Sequence, residues 1–174
     1  MGIQFETDYN METLTAMAKS LRKTVRKKRS RRVHIFAAVV LILGLLTILA
    51  TTAGGEPLGA SGVVTMLAML VVILVSLFED KLNAWFARKR LLPGTEHAAA
   101  TFEEDGYVSA TGVTESRFSY AQIVAVAETA RYFVFALSSH HTQAYDKRTI
   151  RGGSVEDFRA FIAKKTGKPV EDIK

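Results

Sequence analysis

The chain has 174 residues, 48% of them apolar and 23% charged, with a net charge of +6 and a mean hydropathy of +0.13. That mixture fits neither a membrane bundle nor an ordinary soluble domain, so the apolar residues must be concentrated in part of the chain. The absence of cysteine excludes disulfides, thiolate metal sites and cysteine nucleophiles.

The first 32 residues open with an alternating pattern around Ile3 and Phe5, which predicts a short strand. Asn10 reads as the N-cap of a helix with Leu14, Met17, Ala18, Leu21 and Val25 on one apolar face. This helix is expected to run on into the basic block Arg22–Arg32, where the net charge of the whole chain resides. The block includes Arg26, Lys27, Lys28, Arg29, Arg31 and Arg32. No aromatic residue is interleaved in it, so it lacks a stacking platform and is not read as a nucleic-acid site.

Residues 33–78 are read as a transmembrane hairpin. Val33–Ala53 is a 21-residue uncharged run and Ala60–Phe78 a 19-residue one. At ~1.5 Å per residue the first reaches about the thickness of a bilayer core. Gly54, Gly55 and Pro57 punctuate the short connection, whose Glu56 is the sole charge of 33–78. Lys and Arg flank the hairpin on its outer sides and are absent from the connection, which predicts both termini in the cytoplasm and a multi-pass inner-membrane protein. No ionisable residue sits at mid-depth, so the spans hold no proton or ion relay.

Residues 79–96 predict a juxtamembrane amphipathic helix. Trp85, beside Arg88, Lys89 and Arg90, reads either as an interfacial anchor or as a side chain packed on the soluble domain. Residues 97–174 predict about six short antiparallel strands closed by one helix, as a small sheet or barrel. Glu104-Asp105-Gly106 is a turn in which Gly106 is expected to take a positive φ. The helix starts at Ser154 and ends before Gly167, with Val155, Phe158 and Ile162 inward. The fold class is therefore α+β: a two-helix membrane hairpin plus a small antiparallel sheet capped by a C-terminal helix.

The stretches "TFEEDGYVSATGVTESRFSYAQIVAVAETARYFVFAL" and "YDKRTIRGGSVEDFRAFIAKKTGK" resemble the bacterial YcxB-like family. Phe102, Asp105-Gly106, Glu115-Ser116, Tyr120, Ile123, Glu128-Thr129 and Lys165-Thr166-Gly167-Lys168 carry the resemblance by their order and spacing. It implies a two-span hairpin joined to a pleckstrin-homology-like cytoplasmic domain, and it brings no activity with it. The family's Pro-Lys-Arg-aromatic segment here reads Asp146-Lys147-Arg148-Thr149-Ile150.

Chemistry-bearing motifs are sparse. His140-His141 reads as a polar turn, because adjacent strand residues face opposite ways. Glu103-Glu104-Asp105 reads as a solvated turn. Lys147, Arg148 and Arg151 form a basic cluster that either touches phosphate or is solvated. No nucleophile, base and metal set converges, so no enzyme and no cofactor are expected. The expected role is a membrane-anchored, non-enzymatic interaction or regulatory module. Its partners would be membrane lipids and a protein or a second copy, with the edge Gln143–Tyr145 as a peptide-binding strand. An oligomeric pathway for ions or small molecules, and an anionic-lipid-sensing regulator, are the rival readings.

Overall fold

A computed structural model describes residues 2–55 and 57–174; Glu56 lies outside the described residues. Eight strands form two four-stranded sheets. The first contains β1 (Ile3–Asp8), β2 (His97–Phe102), β3 (Tyr107–Thr111) and β4 (Glu115–Phe118) in that order. The second runs β7 (Thr142–Asp146), β6 (Tyr132–Ala136), β5 (Ala125–Glu128), β8 (Val170–Asp172). The chain is thus α+β, with one more strand than expected. That strand, β8, pairs parallel with β5 after the C-terminal helix, so the domain is not wholly antiparallel.

β1 pairs antiparallel with β2 from Ile3↔Phe102 to Asp8↔His97. The chain therefore leaves the sheet at Asp8 and returns beside it at His97, and everything between is an insertion in one sheet. β1 also joins the two sheets. Gln4 and Arg151 exchange backbone hydrogen bonds of 2.9 Å, and the Thr149 hydroxyl donates to the Glu6 carbonyl at 2.7 Å. The Thr7 hydroxyl accepts from the Asp146 N–H at 3.0 Å. Gln143–Tyr145 is consequently not a free edge: these three residues of β7 are buried against β1 and the first helix. The open strand of the first sheet is β4, with Glu115, Ser116 and Arg117 exposed.

Between the sheets lies an aromatic core. Phe5 meets Phe102, Phe133, Tyr145 and Phe158 at ring-centroid distances of 4.7–6.5 Å. Phe158 and Ile162, one turn apart on α5 (Val155–Thr166), close the core from one end. Ser154 and Asp157 form the capping box of α5, and Gly167 ends it in the left-handed region at φ 63°. Gly106 does not take the positive φ expected of it. It is glycine for lack of space: a Cβ there would lie 2.5 Å from the Phe118 carbonyl oxygen.

The insertion is helical. α1 (Met11–Lys23) is capped by Asn10, whose side chain accepts from Glu12 and Thr13 N–H; it runs into the basic block as far as Lys23 and ends there. The Arg26 N–H donates to the Leu21 carbonyl at 2.9 Å, and a new helix begins. α2 (Lys27–Ala53) and α3 (Ala60–Leu77) are long and apolar enough to cross a membrane, and none of their residues is buried within the protein. They lean on each other as a hairpin in which a Cβ at Gly44 would meet the Met69 sulfur at 2.7 Å. Thr47, Thr51, Thr65 and Ser76 return their hydroxyls to carbonyls four residues back in their own helices. α4 (Glu79–Lys89) follows and packs on α1. α1 also covers the outer face of the second sheet, where Tyr9, Ala16 and Met17 meet Tyr132, Val134, Ala144 and Ile173. It is the joint between the hairpin and the sheets.

Candidate functional site

At the foot of the hairpin, α1, the first turns of α2, α4 and the β6–β7 turn surround a groove of about 600 Å³. Four guanidinium side chains line it: Arg22, Arg26, Arg29 and Arg90. The Arg22 guanidinium donates twice to Asp80, at 2.7 and 2.6 Å, and lies 3.8 Å from Glu79. The Asp80 carboxylate holds Arg22 above its ordinary pKa. This fork ties the end of α1 to the start of α4 across the base of the hairpin. Arg26 donates to the Ser139 carbonyl at 2.6 Å and contacts His140 Nδ1 at 2.9 Å. An arginine only donates, so His140 Nδ1 is the acceptor there and its proton sits on Nε2. Among the described residues no group of three or more His, Asp or Glu side chains is placed to hold a metal ion.

Arg29 and Arg90 are exposed and have no carboxylate within ion-pair distance among the described residues. Arg29 lies in the first turn of α2, which has no side-chain cap and no acidic residue there. Cations at the positive end of a helix dipole are unfavourable unless an anion joins them. Lys27, Lys28, Arg31 and Arg32 are exposed and lie outside the groove. On α4, Trp85 is 44% exposed, with Phe86 edge-on at 4.9 Å and the Lys89 ammonium 3.7 Å above its ring. Arg88 faces the Asp8–His97 corner of the sheet, away from the groove.

The basic cluster near the last helix is drawn apart. The Lys147 ammonium lies 2.9 Å from Glu128 and 2.7 Å from the Thr129 carbonyl. Arg148 folds onto Asp146 at 3.0 Å. Arg151 stands 3.4 Å from Glu6. Each cation faces a different carboxylate, so the three do not converge on one point. Sequence reasoning passed over Arg22, Glu79, Asp80 and His140 as members of one site. A signal was present: Glu79-Asp80 at the exit of the second span faces the basic entrance of the first, as an antiparallel hairpin requires.

The fold defines a class: a small α+β domain split by an inserted helical hairpin long and apolar enough to span a bilayer. Within it, residues 102–162 match the family model described as YcxB-like protein. The match runs from the end of β2 through Ile162 of α5, while β1 and the helical hairpin lie outside the matched residues. No curated protein and no solved structure matches the chain.

Proposed function

We propose that the chain is a non-enzymatic interaction module held at the cytoplasmic face of a cell membrane, with both termini in the cytoplasm. The hairpin supplies anchorage: Thr47, Thr51, Thr65 and Ser76 satisfy their hydroxyls within their own helices, and its apolar side chains face outward. In this reading residues 97–174 are the pleckstrin-homology-like domain that the family resemblance implies, completed by β1.

The observation that carries the proposal is the open edge of β4. Its exposed sequence Glu115-Ser116-Arg117 is self-complementary. Antiparallel pairing of two copies about Ser116 sets Glu115 of one opposite Arg117 of the other, twice. Opposite charges facing across strands stabilise a pairing, whereas a register slipped by two residues sets Glu115 opposite Glu115 or Arg117 opposite Arg117. The partner is thus a second copy of this chain.

The chain has no cysteine, so Ser116→Cys introduces a unique thiol. In native membranes the S116C protein should form a disulfide-linked dimer under mild oxidation. The A130C protein, whose thiol sits in the exposed β5–β6 turn, should stay monomeric. Monomers from both variants in the membrane fraction would defeat the self-pairing. Alkaline phosphatase fused to either terminus should be inactive, and activity would defeat the topology.

A further inference from the structure

We propose that the groove at the foot of the hairpin binds the phosphate of an anionic phospholipid in the leaflet next to the soluble domain. Three independent features converge on this ligand. The first is charge. With Arg22 committed to Asp80 and His140 accepting from Arg26, the groove sets Arg26, Arg29 and Arg90 against the single carboxylate of Glu79. Guanidiniums are suited to phosphate because their paired N–H groups match its oxygens.

The second feature is the start of α2. Lys27, Lys28 and Arg29 occupy the end of a helix dipole that repels them, and that end has no cap and no acidic side chain. A phosphate here accepts from the guanidiniums and offsets the dipole together. It thereby relieves a placement that the protein alone leaves unfavourable.

The third feature is depth, which selects a lipid phosphate over a free one. Arg29 precedes Val33, where the uncharged run begins, by four residues, about 6 Å along a helix. The groove therefore lies at headgroup level whenever α2 crosses a bilayer. Its remaining wall includes Leu21, Val33 and Phe86. Val33 opens the uncharged run of α2, and with Leu21 and Phe86 it gives an acyl chain an apolar wall to lie against. The inference rests on membrane anchorage and is independent of the β4 pairing.

The test uses the full chain in detergent micelles. Native mass spectrometry and titration measure binding of dihexanoyl phosphatidylglycerol, dihexanoyl phosphatidylcholine and inorganic phosphate. The wild-type chain should retain phosphatidylglycerol in preference to phosphatidylcholine, and inorganic phosphate should bind far more weakly than either lipid. Arg29→Gln combined with Arg90→Gln should weaken phosphatidylglycerol about 30-fold, from the attraction of juxtamembrane basic side chains for anionic lipid. Neither residue is ion-paired, so the thermal unfolding of the domain should not move. Arg31→Gln combined with Arg32→Gln removes the same charge outside the groove and should change binding less than about threefold.

Equal losses from the two double variants would show a diffuse basic surface and overturn the site. Inorganic phosphate binding as tightly as the lipid would overturn the headgroup assignment. Carbonate extraction of cell membranes tests anchorage separately. A chain released into the soluble fraction defeats the membrane reading, whereas a retained chain without lipid preference defeats only the groove.

Discussion

The hairpin and the sheet domain are both rich in large apolar residues, and they use them in opposite directions. In α2 and α3 no residue is buried, and Phe36 and Leu77 are 70% and 72% exposed. In the sheets, Phe133, Phe135, Tyr107 and Phe158 are fully enclosed. An apolar surface continuous over two long helices has no favourable state in water. The difference supports the proposed anchorage, in which this protein has two apolar solvents, its own core and the bilayer. α1 stands where they meet, and the two regions should answer differently to the same substitution.

The comparison is sharpened most by Phe5→Ala. Phe5 reaches the core from the N-terminal side of the insertion and touches aromatic rings from both sheets and α5. Truncation leaves a cavity that close-packed rings cannot fill, at a cost of about 4 kcal/mol. Thermal unfolding of the soluble domain should show that loss while the chain stays in the membrane fraction. A loss below about 1 kcal/mol would mean that β1 is not integral to the sheet.

Next comes Glu128, buried at the end of β5. Its carboxylate accepts from Arg159 at 2.6 and 2.8 Å and from Lys147 at 2.9 Å. Arg159, more than Lys147, holds it below its ordinary pKa of 4.5. Glu128→Ala leaves the half-buried Lys147 ammonium without its carboxylate and should cost about 3 kcal/mol in a denaturant titration. The pH dependence follows from the depressed pKa. The stabilisation is complete above 4.5, the unfolded value, and is lost as pH falls through the lower folded value. The wild-type chain should therefore lose stability more steeply below 4.5 than the E128A chain. Parallel acid curves would show that the ion pairs contribute nothing.

Local features were the legible ones. The Asn10 cap, the α5 capping box at Ser154 and both long apolar runs are written within a few neighbouring residues. So is the inward face of α5, Phe158 and Ile162. What stayed hidden depends on partners far along the chain. β8 is three residues long, with no alternation to betray it, and exists only because β5 offers it an edge. The break between α1 and α2 leaves a helix-compatible sequence intact and reflects packing of α1 on the second sheet and on α4. The Arg22–Asp80 fork spans 58 residues and requires the hairpin to close first. The apparent cluster Lys147, Arg148, Arg151 dispersed because sequence proximity says nothing of the carboxylates that each side chain meets.

A smaller effect is expected at Tyr107. Its hydroxyl donates to Gln143 Oε1 at 2.7 Å inside the core, and Tyr145 donates to the same oxygen at 2.8 Å. Tyr107→Phe keeps the ring and leaves Gln143 one donor, so the loss should be about 1 kcal/mol. Burial raises the Tyr107 pKa above the ordinary 10.0. The neutral phenol is thus the folded form, and its stabilisation is complete below 10.0 and fades as pH rises beyond it. The Y107F chain should lose stability less steeply than the wild type above pH 10.0 in an alkaline denaturation series. Equal slopes would place the titration elsewhere in the core.

The smallest expected effect is also the one that can break the comparison outright. Leu67 on α3 is 57% exposed and has the same kind of side chain that a core would bury. Were α3 a core helix of a soluble protein, Leu67→Ala would cost between about 2 and 5 kcal/mol. Facing lipid, the truncated side chain exchanges one apolar neighbour for another in both the folded and unfolded domain. No cavity forms, because acyl chains flow into the space, and no water is displaced or admitted. Unfolding of the soluble domain, followed in micelles by the fluorescence of a probe on the sheet, should shift by less than about 0.5 kcal/mol. Leu67→Asp at the same position should instead impair insertion, since a carboxylate at mid-span costs about 2.5–3.5 kcal/mol on insertion scales. An alanine that destabilises while the aspartate inserts normally would mean that the outward face of the hairpin is covered by protein, and the bilayer would lose its place as the second solvent.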